Sequence, residues 1–227
     1  LTFATAPENG QSNVEVWYTV TNTLRGLVEG MRFSEQFNGA ADTRVFLYGD
    51  GSSKAIYNGV TEDGISSAEY FPDLYEMAVG SDNAPLTGMI KYYDRLMSYK
   101  ADGGAYSTSY ETTTLADGTV IPGFRTVSTN REIGNQAMGQ VRLVKNVPRT
   151  IYGGNVYDWV YANYATRDER NAKVVSQRVQ NTMEKADLSK VYCFDDDTKQ
   201  EYYIFLNDAH GTALVHNYMT DLWYSYT

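Results

Sequence analysis

Residues 44–58 read RVFLYGDGSSKAIYN, two β-prone runs joined by a tight, glycine-rich turn. Aromatic and β-branched side chains favour strands because they pack well on a pleated surface. Asp50 and Gly51 tolerate the positive φ angles that a short hairpin turn requires. This stretch therefore predicts an antiparallel β-hairpin.

The same arrangement occurs three more times along the chain. The four segments start at residues 44, 95, 149 and 203, so successive starts are 51, 54 and 54 residues apart. Known propeller blades repeat at roughly 40–50 residues. The three further segments are Arg95–Glu111, Arg149–Tyr161 and Tyr203–Tyr218, with turns at Asp102-Gly103-Gly104, Gly153-Gly154-Asn155 and Asp208–Gly211.

These repeats predict an all-β fold, a propeller-like array of antiparallel sheets with about four repeats of 51–54 residues. We expect one propeller-like domain over residues 1–227, with approximate repeats 1–60, 61–112, 113–165 and 166–227. Asp117-Gly118 predicts a further hairpin between Thr112–Leu115 and Thr119–Phe124. We also expect the chain to be part of a longer protein, since it starts at Leu1 without a Met.

One segment, Thr166–Leu188, departs from the β pattern because it lacks Gly and Pro. Thr166 and Glu169 have the spacing of a capping box, in which each residue satisfies a free backbone N–H of the other. Apolar residues at helical spacing give one stripe, so we predict an amphipathic helix near residues 167–188, packed against the sheets. The stripe consists of Val175, Val179, Met183 and Ala186.

Composition limits the possible functions. The formal net charge of −9 argues against a surface that grips nucleic acid, which needs clustered Lys and Arg. No window approaches 18 consecutive apolar residues, so no membrane-spanning helix is predicted. The single cysteine, Cys193, excludes an internal disulfide framework, and its apolar neighbours predict a small buried core residue.

The sequence offers few groups for catalysis, and we assign no catalytic, cofactor-binding or metal-binding residue. His210 and His216 lie six apart without a metal-ligand partner at a suitable spacing, and His216 shares a strand face with Leu214. Asp195–Asp197 lacks the spacing of a calcium loop and predicts a solvated turn. We expect no cofactor and no enzymatic activity.

Two residue sets keep a glycan-related alternative open. Trp17, Trp159 and Trp223 could stack on sugars, although Trp159 and Trp223 occupy comparable late positions in two repeats, which favours packing. Glycoside hydrolysis needs two carboxylates facing across a sugar, and the sequence alone cannot pair any of the available acids. Those acids include Glu62, Asp63, Glu69, Asp73 and Glu76.

Much of the chain resembles β-propeller proteins of tailed bacteriophages and prophages, of the packaged-DNA stabilisation or tail nozzle type. The segment Arg167–Leu188, followed by Glu201–Asn207 and Val215–Tyr226, is similar to a recurring blade of these proteins. The motifs are structural rather than catalytic, and they cover most of the chain from residue 40 onward. The resembling runs are Asp42–Tyr57, Ala68–Val79, Pro85–Tyr110 and Glu201–Thr227.

The resemblance implies a non-enzymatic structural protein of a phage or prophage tail or neck. Such a protein would form a homo-oligomeric ring around the DNA channel, contact portal or connector and other tail proteins, and stabilise packaged DNA or the tail. Its location would be the virion, after synthesis in the bacterial host cytoplasm. It would touch passing double-stranded DNA without reading its sequence, and an acidic wall would keep the phosphates from adhering.

Two other functions stay open at this point. One is a carbohydrate-binding or glycan-processing β-propeller that uses exposed Tyr and Trp side chains. The other is a generic protein-interaction propeller. Exposed rings clustered with two facing carboxylates would favour a glycan function, whereas rings buried between blades would favour a structural one.

Overall fold

The computed structural model describes residues 25–38, 43–61, 63–73, 75–114, 116–118, 120–160 and 171–227. These residues form sixteen strands in four antiparallel, four-stranded sheets, with only short helical elements. The longest helix among them is α1, the six residues Arg25–Gly30, and none of the described helices has the length and hydropathy to cross a membrane.

In each sheet the strands lie side by side in chain order, so each sheet is an antiparallel meander. Sheet I contains β1 (Phe33–Phe37), β2 (Arg44–Tyr48), β3 (Lys54–Tyr57) and β4 (Glu76–Ala78). Sheet II contains β5 (Leu86–Tyr92), β6 (Arg95–Lys100), β7 (Ala105–Thr114) and β8 (Val120–Asn130). Sheet III contains β9 (Arg142–Val144), β10 (Val147–Tyr152), β11 (Asn155–Trp159) and β12 (Ala172–Val174). Sheet IV contains β13 (Tyr192–Asp196), β14 (Glu201–Phe205), β15 (Ala213–Asn217) and β16 (Leu222–Tyr226).

The four hairpins predicted from sequence are confirmed, and each forms the central pair of one sheet. They are β2–β3, β6–β7, β10–β11 and β14–β15. The turn glycines adopt the left-handed region that the sequence called for, with φ of 94° at Gly51 and 83° at Gly154. The hairpin around Asp117-Gly118 is also present, since β7 pairs with β8 out to Thr114 opposite Val120.

The boundaries of the four sheets differ from the approximate repeat boundaries predicted from the sequence. Sheet I runs past residue 60, sheet II past residue 112 and sheet III past residue 165. The repeats were recognised from the central hairpins, because the turn residues there give the clearest sequence signal. The outer strands β4 and β12 are only three residues long, and so short a strand carries little periodicity to locate it.

The prediction of one helix over residues 167–188 is wrong. The capping box at Thr166 and Glu169 lies outside the described residues. Ala172–Val174 instead form β12, the fourth strand of sheet III. Only short helical turns follow: a 3₁₀ turn at Gln177–Val179, helix α2 at Gln180–Met183 and a 3₁₀ turn at Leu188–Lys190.

Tertiary pairing explains this difference. The edge of β11 offers backbone groups that Ala172–Val174 can satisfy, and a valine suits a strand better than a helix. The Ser176 hydroxyl then accepts a hydrogen bond from the Val156 N–H at 2.9 Å, which fixes the chain where it leaves the strand. The apolar stripe still packs inward: Met183 is fully buried, and Val175, Val179 and Ala186 pack beside it.

Three hydrophobic clusters join the sheets in succession. One unites sheets I and II, with Phe46 and Leu96 at 0% exposure. The second unites sheets II and III around Tyr99 and Trp159. The third unites sheets III and IV, with Ile151 and Ile204 at its centre. The sheets therefore stack face to face in chain order, and none of these clusters joins sheet I to sheet IV.

The first strands of neighbouring sheets also meet. β1 contacts β5, β9 contacts β13, and β5 contacts β10. Of the five strands in these contacts, β1, β5, β9 and β13 are the leading strands of their meanders and β10 is the second strand of sheet III, so the leading edges of the sheets lie close together.

Candidate functional site

The two histidines lie in different environments. His216 is on β15 with 3% exposure, and it faces sheet III on the same side as Leu214, as predicted. His210 lies in the exposed loop between β14 and β15, where its backbone N–H donates to Asp208 Oδ1 at 3.1 Å. The two histidines therefore do not form a joint site.

His216 belongs to a polar network between sheets III and IV that is centred on Arg149. The Arg149 guanidinium, with its residue 2% exposed, makes a bidentate ion pair with Asp158, at 2.5 Å to Oδ1 and 2.8 Å to Oδ2. Its third nitrogen lies 3.1 Å from His216 Nδ1. The guanidinium carbon Cζ of Arg149 lies 4.8 Å from the ring centroid of Tyr202, a cation–π distance.

The hydrogen bonds fix the tautomer of His216. Arginine can only donate, so Nδ1 accepts from Arg149, and the proton resides on Nε2. Nε2 donates to Asp221 Oδ1 at 3.0 Å, while the ring stacks on Trp223 at 4.6 Å. Burial lowers the pKa of His216; Asp221 partly offsets this, and the Arg149 charge adds to it. The imidazole is therefore neutral and structural at pH 7.

This network predicts that the free energy of unfolding falls as the pH drops below neutrality. The pKa of His216 is lower in the folded state, so the unfolded chain binds more protons, and stability is lost as pH falls from about 6.5, the ordinary histidine value. Asp195 has the opposite sign, because its raised folded pKa of about 6 favours the folded state at lower pH. Denaturant unfolding between neutral and mildly acidic pH measures the balance.

His216→Gln is the matched variant, because an amide can replace the acceptor without titrating. We expect the acid-induced loss of stability to disappear in this variant, leaving the opposite trend from Asp195. An equal loss in wild type and H216Q would contradict the assignment.

The acidic run Asp195–Asp197 is only partly the solvated turn that was predicted. Asp195 and Asp196 end β13 and are half-buried, whereas Asp197 is exposed in the following turn. Asp195 points to the sheet III side, where burial raises its pKa to about 6 although Arg149 opposes the shift. Within the described ranges, no group of three or more His, Cys, Asp or Glu could hold a metal ion.

Cys193 is the buried core residue that the sequence predicted. Its exposure is 0%, and burial raises the pKa of the thiol to about 12. It packs in the cluster between sheets III and IV, so the thiolate needed for nucleophilic or metal chemistry is not formed at neutral pH.

The tryptophans that the structure describes pack between sheets. Trp159 has 1% exposure, donates from Nε1 to Thr150 Oγ1 at 2.9 Å and lies 5.0 Å from the Tyr99 ring. Trp223 donates to the Val175 carbonyl at 3.1 Å. Trp159 lies on the third strand of sheet III and Trp223 on the fourth strand of sheet IV. The prediction that they occupy comparable positions is therefore wrong. Trp17 lies outside the described residues.

The carboxylates considered for glycan chemistry do not form a described site. Glu62 lies outside the described residues, while Asp63, Glu69 and Asp73 are exposed in the connection between β3 and β4. Glu76, on β4, pairs with Lys54 at 2.9 Å. A cavity of about 290 Å³ between sheets I and II, lined by Lys91, Arg95 and other residues, is at the lower limit of the roughly 300–1,000 Å³ usual for ligand pockets.

The feature that sequence reasoning missed is the side of sheet IV turned away from sheet III, which we call the outer face of sheet IV. Large apolar side chains lie exposed there although a solvent-facing strand surface is normally polar. The signal was present as aromatics at alternate positions on β13 and β14. The exposed members are Tyr192 at 53%, Phe194 at 50%, Phe205 at 42%, Leu222 at 53% and Tyr226 at 57%.

Cross-strand register places the exposed rings in two adjacent rows, and Leu222 lies in a third row opposite Asn217. One row contains Tyr192, Phe205, Ala213 and Tyr226, and the other contains Phe194, Tyr203, Val215 and Tyr224. Tyr203 and Phe205 are stacked 6.1 Å apart, and Phe194 lies 6.3 Å from Tyr203. The rings thus form a continuous apolar surface, under which Val215 is completely buried.

Glu201 orders this surface at one end. Its carboxylate accepts from the Tyr203 hydroxyl at 2.6 Å and from the Tyr224 hydroxyl. These hydrogen bonds lower the pKa of Glu201 and raise that of Tyr203 to about 12. Because the Glu201 carboxylate accepts hydrogen bonds from both hydroxyls, it fixes the positions of the Tyr203 and Tyr224 rings.

Comparison with known proteins gives no identification. No protein-family model matches the chain. No curated protein matches its sequence.

Proposed function

We propose that this chain is a non-enzymatic structural component of a bacteriophage or prophage tail, built as a propeller-type array and acting through its surfaces. The observation that carries the proposal is the succession of four four-stranded meanders stacked face to face in chain order. Propellers consist of four-stranded blades, typically four to eight of them. The contacts between leading strands support the same architecture, because those strands line the centre of a propeller.

The distribution of chemistry supports a structural role. His216, Cys193 and Asp195 all face the interface between sheets III and IV, where hydrogen bonding and burial account for their states. Most of the described rings lie between sheets, as expected of a structural protein. The exposed rings are concentrated on one sheet face, a distribution typical of interaction sites.

The proposed setting follows from the resemblance to tail nozzle and packaged-DNA stabilisation proteins. In that setting the chain would be a virion component that forms a ring around the DNA channel and contacts portal and other tail proteins. The net charge of −9 favours this arrangement over tight DNA binding, because an acidic surface repels phosphate.

Quantitative mass spectrometry of purified tailed particles tests this proposal. Particles produced by cells that carry the gene should contain the chain in a fixed ratio to their portal protein. DNA-filled particles assembled without the chain should lose packaged DNA more readily than complete ones. Absence of the chain from particles that are otherwise complete would overturn the proposal.

A glycan-binding function is the second candidate, and the exposed rings on the outer face of sheet IV favour it. Aromatic platforms stack on sugar rings, and Glu201 and Asp196 lie on the same face. The face is an open sheet surface, however, and Glu201 is engaged with Tyr203 and Tyr224. Affinity electrophoresis with bacterial surface polysaccharides should show retardation that Phe205→Ala removes, if this function is correct.

A further inference from the structure

The cavity between sheets I and II brings charged, hydroxyl and aromatic side chains together in a small volume. Its lining includes Phe37 of sheet I, which is 2% exposed, and Lys91, Arg95 and Ser109 of sheet II. Pockets for larger ligands usually measure roughly 300–1,000 Å³, so a volume of about 290 Å³ suits a compact ligand. A single ring with polar substituents is a ligand of this kind.

Tyr93, in the turn that joins β5 to β6, lines this cavity in an unfavourable backbone conformation. Its φ is 53°, in the left-handed region where a Cβ atom comes too close to the following carbonyl oxygen. No other aromatic residue in the part of the chain that the structure describes has a positive φ.

Packing does not account for a tyrosine at this position. The ring centroid of Tyr93 lies 4.7 Å from that of Tyr92, but the exposure of Tyr93 is 66%. Glycine adopts such a φ without strain, so a tyrosine here needs another reason. Strained residues cluster at ligand sites, where the strain holds a side chain in position for binding. Tyr93 therefore points to a ligand in the cavity that it lines.

Two cations indicate the charge of that ligand. The Arg95 side chain is 13% exposed, and its Nε contacts Asp94 at 3.4 Å, whereas the Asp94 side chain is 64% exposed. Lys91 is exposed on β5, with Glu35 of β1 close enough to interact with its charge. The two acids offset part of the positive charge, but water screens the guanidinium least. Guanidinium and ammonium groups bind carboxylate and phosphate oxygens, so the pair favours an anionic ligand.

The other lining groups suit a sugar ring. The Ser109 hydroxyl and the Asn38 amide can both donate to and accept from sugar hydroxyls. The aromatic rings of Phe37, Tyr93 and Tyr110 offer surfaces on which the apolar C–H face of a sugar can stack. An inorganic anion would leave these rings without a partner, so the cavity matches a ring that carries the charge.

We propose that this cavity binds a monosaccharide unit that carries a carboxylate or a phosphate group. The anionic group would lie against Arg95 and Lys91, and the sugar ring would stack on Tyr93. Uronic acid units of polysaccharides and sugar phosphates share this chemistry. The site is separate from the outer face of sheet IV, and the inference goes beyond the structural role proposed above without resting on it.

Isothermal titration calorimetry of the purified chain with glucuronate, glucose 6-phosphate and glucose tests the proposal. At least one of the two anionic sugars should bind, and neutral glucose should bind about tenfold more weakly or less, because it lacks the charged partner of Arg95. Acetate and inorganic phosphate, which lack a ring, should be weaker by a similar factor. A preference for glucuronate or for glucose 6-phosphate identifies the source of the natural ligand.

Substitution of the cations tests the charged part of the site. Arg95→Gln and Lys91→Gln should each weaken binding about tenfold or more, the effect of losing a hydrogen bond to a charged group. Lys91 is exposed, so K91Q should fold as wild type does. Arg125→Gln is the control, because Arg125 is a strand arginine that does not line the cavity and should leave binding unchanged.

Tyr93→Gly tests the ring and separates binding from folding. This variant should bind the sugar about tenfold more weakly, yet melt no lower than wild type, because glycine adopts a φ of 53° without strain. Lys145→Gly is the matched control. Lys145 has a φ of 51° in the turn between β9 and β10, outside the cavity, so K145G should leave binding unchanged.

Four results would overturn this inference. They are no binding of either anionic sugar up to about 10 mM, equal affinity for glucose and the anionic sugars, undiminished binding by Y93G, and binding that Phe205→Ala removes while R95Q retains it. The last result would place the sugar on the outer face of sheet IV. None of the four bears on whether tailed particles contain the chain, so the proposed function is tested separately.

Discussion

Replacing Arg149 with Met should lower the free energy of unfolding by about 3 kcal/mol, the lower end of the range for breaking a buried ion pair. The guanidinium is nearly inaccessible and holds Asp158, His216 and the Tyr202 ring together across sheets III and IV. Its removal leaves the Asp158 carboxylate without its partner. Because Asp158 keeps 24% exposure, water relieves part of the cost. Urea denaturation at pH 7 measures the change.

Arg125→Met is the matched control for this prediction. Arg125 is also a strand arginine beside a carboxylate, but its side chain is 70% exposed and lies 3.8 Å from Glu111. Exposed pairs of this kind contribute about 0–1 kcal/mol. The double variant R149M/D158L should recover part of the lost stability, because no uncompensated charge remains. Equal effects of R149M and R125M would show that the network does not stabilise the interface.

Replacing Trp159 with Ala should lower the free energy of unfolding by about 3–5 kcal/mol, the usual cost of emptying a buried tryptophan site. The indole fills the cluster between sheets II and III beside Tyr99 and Val141, with 1% exposure. Its truncation leaves a cavity and also removes the hydrogen bond to Thr150. The expected result is a lower urea midpoint with an unchanged slope, since the folded state stays compact.

Tyr70→Ala provides the comparison, because Tyr70 is an aromatic residue with 51% exposure. Surface substitutions usually change stability by no more than about 0.5 kcal/mol. Trp159→Phe should lose less than W159A, since it keeps most of the ring volume. A loss below about 1 kcal/mol in W159A would contradict the view that this cluster stabilises the stacking of sheets II and III.

The substitutions of Arg149 and Trp159 perturb two different kinds of interface between the stacked sheets. The interface between sheets II and III is mainly apolar, whereas that between sheets III and IV combines an apolar cluster with a polar network. The polar network makes the latter interface sensitive to pH through His216. Acid should therefore loosen sheet IV before the others, which hydrogen exchange measured along the chain can detect.

The abundance of tyrosine shows how far sequence reasoning extends. Tyr48, Tyr57 and Tyr110 lie in the cluster between sheets I and II, and Tyr99 lies in the next cluster, as expected for rings that pack between blades. Tyr203 has a similar sequence setting near a strand end, but it lies on the outer face of sheet IV. Sequence position alone does not distinguish them, because a neighbouring sheet buries the ring in one case only.

The sequence by itself determined the turns and the central hairpin of each sheet. Those features depend on interactions between residues a few positions apart: the φ preference of glycine, alternation along a strand, and the fit of aromatic and branched side chains to a pleated surface. Local chemistry of this kind can be recognised without coordinates, and residues 44–58 were sufficient to define the pattern.

Only the tertiary structure determined which distant segments of the chain contact each other. Arg149 and His216 are 67 residues apart, and nothing in either segment indicates the other. Residues 172–174 have a helical apolar pattern nearby, yet they pair with β11 because its edge supplies backbone partners. The outer face of sheet IV is exposed because no described sheet covers it. Burial, strand pairing and exposure are properties of the whole assembly, so they follow from packing between distant segments.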